Sequence, residues 1–448
     1  MPELHQGGLA PLRPTRRLVA FRNSSRRQSK WRFGFRHMLL CGSVVALMFS
    51  NDEQNAVIFQ LAGVGLVTMA AIFFLAADPF RAIVIGQFDA VMLFSIFLSY
   101  FVAVLSQETY VFLHTSVFLV TYVSIMIIAQ HTNDDELIAC IQLSIVAVLA
   151  IVLVVFGGTL FSALMPGALK RWELRQAPFD MHPNLAGFVY GGFIVMIANS
   201  RFSLWGQDKL FRISVVVLCL AIMIVASARG GILAVALTLL VYGAVRVITQ
   251  SASLIRLLFA GFAALIIVVV FSDRILPYAT EMLDLDSKRR GLESGGTGRF
   301  ELWQQGIDYI AGRTWQIFIG SGLRSATISN MGFPTENSYI NLTVESGIFL
   351  TAVILFSFVS LIARSYRRQL AGDHLYQLVF YSLIFAMFQS VFNRYLIAIG
   401  NPFSICVLLI ASKASAGLKI DQLRFCRVRQ FTLSRTYSRR NLRSSSGA

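Results

Sequence analysis

The chain alternates between long apolar runs and short polar connections over most of its length. A helix needs about 20 apolar residues to cross a hydrocarbon core about 30 Å thick, and the runs lack the strong period-2 alternation of transmembrane strands. The pattern therefore predicts an all-α polytopic integral membrane protein with about twelve transmembrane helices. The runs lie at 37–50, 55–77, 86–106, 111–130, 137–157, 185–199, 213–228, 230–248, 254–272, 339–363, 375–393 and 397–412.

Composition agrees with a membrane protein and excludes a soluble globule. The chain is 56% hydrophobic and 14% charged, whereas soluble domains are about 25% charged. The net charge of +16 is at first sight typical of nucleic-acid binding. The Arg- and Ser-rich ends are better explained as topology anchors on anionic lipid, so we expect membrane lipids and no nucleic acid as partners. The five cysteines lie in spans or in the inner tail and imply neither a disulfide nor a metal site.

Lys and Arg placement predicts the topology, because short cytoplasmic loops retain positive charge. Both basic ends are placed inside, which requires an even number of spans. The predicted segments are a basic cytoplasmic tail (1–36), spans one to nine (37–272), an extracytoplasmic, periplasmic loop (273–338), spans ten to twelve (339–412) and a second basic cytoplasmic tail (413–448). Besides those of the long loop, a few basic residues then lie on the outer side, where they are disfavoured and invite a functional explanation. They are Lys170, Arg171, Arg175, Arg229 and Arg394.

The first candidate motif is the outer turn Ala226-Ser227-Ala228-Arg229-Gly230-Gly231. Arg229 begins span eight, where free backbone N–H groups and the helix dipole favour an anion. The two glycines would permit a ligand to approach closely. The alternative is an arginine that reaches lipid headgroups at the interface.

The second candidate motif is Gly295-Gly296-Thr297-Gly298-Arg299-Phe300. It precedes an amphipathic helical pattern through Phe300, Trp303, Ile307 and Ile310, and Thr297 can cap that helix. Glycine-rich turns ahead of helices are common. Two arginines in similar settings nevertheless predict a clamp for a diphosphate.

The third candidate motif, Pro334-Thr335-Glu336-Asn337-Ser338-Tyr339, opens span ten. Asn337, Asn341 and Glu345 recur every four residues and share one helical face. Polar groups within a membrane span line a cavity or pair with each other. The alternative is a capped helix whose early acidic residue complements its dipole.

The fourth candidate is His182, in the segment Asp180-Met181-His182-Pro183-Asn184 before span six. A histidine can take up a proton near neutral pH. A lone histidine at an interface is more often a surface residue that forms hydrogen bonds, so both interpretations remain open.

The order of these motifs over residues 172–356 resembles the superfamily of O-antigen ligases and Wzy-type polysaccharide polymerases, which includes exopolysaccharide polymerases. The matching motifs are Pro183-Asn184, Ser227-Ala228-Arg229-Gly230-Gly231, Gly298-Arg299 with Trp303, Gly320-Ser321-Gly322, Glu336-Asn337-Ser338-Tyr339 and Glu345-Ser346-Gly347.

The resemblance implies a glycosyltransferase in the bacterial inner membrane that uses an undecaprenyl-pyrophosphate-linked glycan and no cofactor or metal. Ligases of the family carry an arginine in the Ser-x-Arg-Gly turn and one in the long loop, which Arg229 and Arg299 match. They also carry a histidine directly before the asparagine of the loop's closing motif. Here that residue is Glu336, which departs from the ligase pattern.

We therefore predict a lipid-linked glycan polymerase or transferase. Arg229 and Arg299 would bind the leaving pyrophosphate, and Glu336, or else His182, would act on the acceptor hydroxyl. The alternatives are an O-antigen ligase with a lipid or protein acceptor, and a secondary transporter or flippase with broken helices at the midplane. The pathway's flippase and chain-length regulator are candidate partners. Further predicted substrate-binding residues are Arg171, Arg175, Asn184, Arg324, Asn337, Asn341 and Glu345.

Overall fold

The computed structural model of the protein describes residues 33–50, 56–164, 177–200, 208–249, 299–312, 315–323 and 335–445, with side chains up to Leu423. All regular structure in these residues is helical, which confirms the predicted all-α class. A short 3-10 helix, Pro178–Asp180, precedes α6. The helices are α1 (Phe35–Phe49), α2 (Ala56–Ala77), α3 (Gln87–Ser106), α4 (Thr109–His131), α5 (Asp134–Leu164), α6 (Pro183–Asn199), α7 (Asp208–Val225), α8 (Arg229–Thr249), α9 (Arg299–Ala311), α10 (Gln316–Ile319), α11 (Ser338–Leu370), α12 (His374–Gln389) and α13 (Pro402–Ser445).

The protein is a multi-pass membrane protein. Among the described residues, seven helices are long and apolar enough to cross a bilayer, namely α2, α3, α4, α5, α8, α11 and the first half of α13. Helices α1 and α6 are apolar but shorter. Eleven of the twelve predicted runs overlap helices, and the run at 254–272 lies outside the described residues. The count of twelve spans and the side of the long loop stay predictions.

The last two predicted spans have different boundaries in the structure. Helix α12 ends at Gln389, four residues before the predicted end, and α13 begins only at Pro402. Asn401 caps α13 by accepting a hydrogen bond from the Ser404 N–H (2.8 Å), and proline is favoured at a first helical position. Residues 390–401 between them are irregular and mostly buried. Helix α13 also continues to Ser445, through the segment predicted as a tail, which contains no helix-breaking proline.

Helix α11 is broken at Gly347, whose φ of 73° and ψ of 165° are not helical. A break leaves backbone carbonyls without their helical partners. Here the Ser321 N–H donates to the Val344 carbonyl and the Gly322 N–H to the Glu345 carbonyl, both at 2.9 Å. Two motifs that lie far apart in the sequence therefore form one backbone contact.

Glycine is required on both sides of this contact. Gly320 and Gly347 both have positive φ, and a Cβ on either would overlap the backbone of the facing motif. The segment continues toward α3, where the Leu323 N–H donates to the Ser99 hydroxyl at 2.7 Å. Residues 320–323 are thus fixed against α11 and α3.

Candidate functional site

One amide side chain joins the starts of three helices. The Asn184 Nδ2 donates to the Glu336 Oε2 at 2.6 Å, and the Arg299 Nη2 donates to the Asn184 Oδ1 at 3.1 Å. Asn184 is only 8% exposed, so water does not readily replace these bonds. Arg299 is 115 residues and Glu336 is 152 residues from Asn184 in the sequence. The cation, the amide and the carboxylate nevertheless form one connected group.

The local sequence fixes Asn184 at the second position of α6. Pro183 occupies the first position, and His182 is the N-cap, whose Nδ1 accepts a hydrogen bond from the Asn184 N–H at 3.3 Å. The Gln389 Nε2 donates to the Asn184 carbonyl at 3.4 Å. His182 itself is exposed and caps α6. Its predicted chemical role stays a prediction.

Glu336 has an unusual backbone conformation. Its φ is 51°, in the left-handed region, which costs a residue with a side chain about 1–2 kcal/mol. Strained residues of this kind cluster at functional sites. The next residue, Asn337, caps α11, because its Oδ1 accepts from the N–H groups of Tyr339 (2.9 Å) and Ile340 (3.2 Å). The Asn337 Nδ2 donates to the Val391 carbonyl at 3.4 Å. The capped start of α11 thus holds the Glu336 carboxylate at Asn184.

Arg299 is the first residue of α9, which confirms the predicted amphipathic helix. Its guanidinium carbon lies 5.6 Å from the centre of the Phe392 ring. Burial lowers the pKa of Arg299 and the charge of Glu336 counteracts that effect, so the side chain remains a cation at neutral pH. Helix α9 packs on the start of α11, where a Cβ on Gly306 would lie 2.6 Å from the Thr335 methyl.

Arg229, half-buried at the start of α8, is brought to the same region by the glycines that follow it. The predicted role of these glycines in ligand approach stays a prediction, and the structure shows that they also pack closely against neighbouring residues. Gly231 contacts Gly187 of α6, and a Cβ on Gly187 would lie 3.0 Å from the Gly231 Cα. A Cβ on Gly230 would lie 3.0 Å from the Phe392 Cβ. Helix α8 therefore begins beside the same aromatic ring that faces Arg299.

The remaining predicted residues have different outcomes. Asn341 is buried in α11, and its Oδ1 accepts from the Thr335 hydroxyl at 2.7 Å. Glu345 is half-buried two turns into α11, just before the break. Four further positions lie outside the described residues. They are Arg171, Arg175, Arg324 and the predicted cap Thr297.

Sequence reasoning missed the segment that follows α12. The Ser338 N–H donates to the Ser390 carbonyl (2.9 Å), and the Ser338 hydroxyl donates to the Asn393 carbonyl (2.7 Å). The signal was present as the polar group Gln389, Ser390 and Asn393 inside a predicted span. Within the described part of the chain, no three His, Cys, Asp or Glu side chains meet in a way that would hold a metal ion.

Fold and site together define a helical membrane protein that gathers arginine, amide and carboxylate groups at helix starts. Residues 214–355 match the family model described as O-antigen ligase (Wzy_C). This match confirms the resemblance to the O-antigen ligase and Wzy-type superfamily, and it includes Arg229, Arg299 and Glu336. No curated protein matches the chain significantly. The match indicates a glycosyl-transferring enzyme of surface polysaccharide biosynthesis.

Proposed function

We propose that the protein polymerises or transfers undecaprenyl-pyrophosphate-linked oligosaccharide at the periplasmic face of the bacterial inner membrane. The observation that carries this proposal is the Asn184 amide, which joins the Arg299 cation to the Glu336 carboxylate. Glycosyl transfer from a pyrophosphate donor needs both charges, close together and in fixed positions.

In the proposed reaction the oxygen of an acceptor hydroxyl attacks the anomeric carbon of the donor sugar. The bond between that carbon and the pyrophosphate oxygen breaks, and the pyrophosphate leaves with the electron pair. Arg299 and Arg229 stabilise the negative charge that develops on it, because arginine offers two parallel N–H groups to phosphate oxygens. Pyrophosphate is a good leaving group, so the step does not require a metal ion.

Glu336 is the base that the geometry supports best. Among the described residues, only Asn184 donates a hydrogen bond to its carboxylate, and that bond goes to Oε2. Oε1 can therefore accept the proton of the acceptor hydroxyl. His182 would have to give up its capping bond to take a proton on Nδ1. Its assignment as base depends on Nε2 alone.

Two other functions are tested alongside this one. An O-antigen ligase would use the same donor with a lipid or protein acceptor. A transporter would use a broken helix such as α11 to bind cargo near the midplane. The break in α11 is instead closed by backbone hydrogen bonds from Ser321 and Gly322, which favours a fixed structural break over an open transport site.

The test uses purified protein and a defined undecaprenyl-pyrophosphate oligosaccharide. A ladder of products supports a polymerase, and a single shifted band with added acceptor supports a ligase. Unchanged substrate moved across a vesicle would overturn the proposal in favour of a transporter.

Variants of the arginines sharpen this test. Arg229→Ala and Arg299→Ala should abolish product while the folded protein remains in the membrane. Lysine should restore activity only in part, because an ammonium cannot make a planar two-pronged contact. The matched control is Arg367→Ala, an exposed arginine near the other end of α11. Near-normal activity in both site variants would refute the clamp.

A further inference from the structure

Arg394 is a further partly buried cation near the site. Its Nε is buried and has no hydrogen-bond partner among the described residues. None of the ion pairs between described side chains includes it. Its guanidinium carbon lies 5.9 Å from the centre of the Tyr395 ring. Removing a charge from water is unfavourable unless it is paired, so this position is suited to an anionic ligand.

The turn that carries Arg394 is fixed to the start of α11. The Ser338 hydroxyl donates to the Asn393 carbonyl at 2.7 Å and accepts from the Leu396 N–H at 3.2 Å. The Asn393 Oδ1 also accepts from the Tyr395 N–H at 2.9 Å. Ser338 directly follows Asn337 and is two residues from Glu336. Arg394 therefore lies in a turn that is closed around the Ser338 hydroxyl, two residues from the proposed base.

The residues on either side of this turn contact the rest of the site. Phe392, two residues before Arg394, faces the Arg299 guanidinium. Tyr395, directly after it, packs against Phe188 with ring centres 6.1 Å apart, and Phe188 lies one turn after Asn184 on the same face of α6. Through Tyr395 the turn contacts α6, the helix that carries Asn184, and through Phe392 it contacts Arg299.

We propose that Arg394 is a third cation of this site and binds the diphosphate group of the lipid-linked donor. This inference rests on the proposed function and extends it. A diphosphate spreads its charge over two phosphorus centres, so a third arginine would let the site distinguish it from a single phosphate. Neither the chemical motifs nor the matched family segment contains this residue.

Binding measurements test the proposal directly. Purified protein in phosphatidylcholine nanodiscs is titrated with undecaprenyl pyrophosphate and, separately, with undecaprenyl monophosphate. The unchanged protein should prefer the diphosphate. Arg394→Gln should weaken diphosphate binding by about tenfold or more, the usual effect of losing a hydrogen bond to a charged group, and should leave monophosphate binding nearly unchanged. Arg367→Gln, the matched control, should change neither.

The possible contrary results distinguish failure of the proposed function from failure of the proposed role of Arg394. If the unchanged protein shows no preference for the diphosphate, the proposed donor is wrong. If Arg299→Ala weakens diphosphate binding and Arg394→Gln does not, the proposed function stands and the role of Arg394 is refuted. Equal weakening for both lipids, or equal competition by phosphatidylglycerol, would make Arg394 a structural or headgroup-binding residue and overturn the inference.

A second, conservative variant tests the proposal even if Arg394→Gln misfolds. Arg394→Lys keeps the charge and loses the planar fork, so it should weaken diphosphate binding less than Arg394→Gln does. If Arg394→Gln does not yield a monodisperse protein, Arg394→Lys decides alone. A severalfold loss for the diphosphate only supports the proposal, and unchanged binding of both lipids refutes it.

Discussion

Asn184 offers the sharpest single test of the site, because its uncharged amide contacts both charged partners. Its Nδ2 donates to the Glu336 Oε2 at 2.6 Å and its Oδ1 accepts from Arg299 at 3.1 Å. A hydrogen bond to a charged group contributes about 1.5–3 kcal/mol. If one such bond is needed in the transition state, Asn184→Ala should lower kcat/KM by about 10- to 150-fold, since 1.36 kcal/mol corresponds to tenfold.

Asn184→Asp separates electrostatics from size. Aspartate has nearly the same shape but places an anionic oxygen against the Glu336 carboxylate. At an effective dielectric constant of about 20, two unit charges about 3 Å apart repel by about 5 kcal/mol, and Arg299 offsets part of this. We therefore expect Asn184→Asp to reduce turnover at least as much as Asn184→Ala, although it removes fewer atoms.

The double variant Asn184→Asp with Glu336→Gln exchanges the amide and the carboxylate. It restores a donor between positions 184 and 336, an acceptor for Arg299 and the original net charge. Thermal unfolding in detergent should therefore recover relative to Asn184→Asp. Product formation from the undecaprenyl-pyrophosphate oligosaccharide should not recover, because position 336 no longer carries a base. Wild-type turnover in Asn184→Asp, or recovered turnover in the double variant, would refute this reasoning.

Three further predictions follow from the fold and the site. Glu336→Gln should lower kcat by about a hundredfold or more in the product assay, because general-base catalysis contributes about 10²–10⁴, and full turnover would reduce Glu336 to a helix-start residue. Gly231→Ala should destabilise the protein by about 1–3 kcal/mol in thermal unfolding, because its Cβ would overlap Gly187. The control variant Gly65→Ala should not destabilise the protein, because its Cβ would have no neighbour within 4 Å. Equal destabilisation by both variants would contradict the packing argument. Reporters fused after Leu370 should report the cytoplasm, and reporters fused within residues 287–314 should report the exterior. A cytoplasmic signal from residues 287–314 would contradict the assignment of the site to the outer side.

The helices were predictable because a bilayer selects long apolar runs, whatever their neighbours. The same local logic placed Arg299 at the start of an amphipathic helix and the motif of residues 334–339 at the start of α11. Both are properties of a few consecutive residues. They can be read from a sequence without knowing which helices pack together.

The connections within the site could not be read in that way. Asn184 was named as a binding residue, but its bonds to Arg299 and Glu336 join positions 115 and 152 residues apart. The glycines after Arg229 were predicted to permit ligand approach, which stays a prediction. Their packing could not be predicted, because only the crossing of α6 and α8 brings Gly231 against Gly187. Residues 390–401 were divided between two spans because their apolar content hides an irregular backbone that is stabilised by Ser338.

The directions of the helices connect the site with the predicted topology. Helices α6, α8 and α11 each begin beside the cluster of Asn184, Phe392 and Glu336, so their free N–H groups and positive dipole ends lie in one region. Helices that begin at one surface and run into the membrane must be separated by an odd number of crossings. The predicted span at 213–228, most of it in α7, would supply one crossing between α6 and α8. The predicted run at 254–272, outside the described residues, would supply one between α8 and α11. The even-numbered spans of the predicted topology all start on the outer side. The convergence of their N-termini on the two arginines therefore supports an anion-binding site on that side.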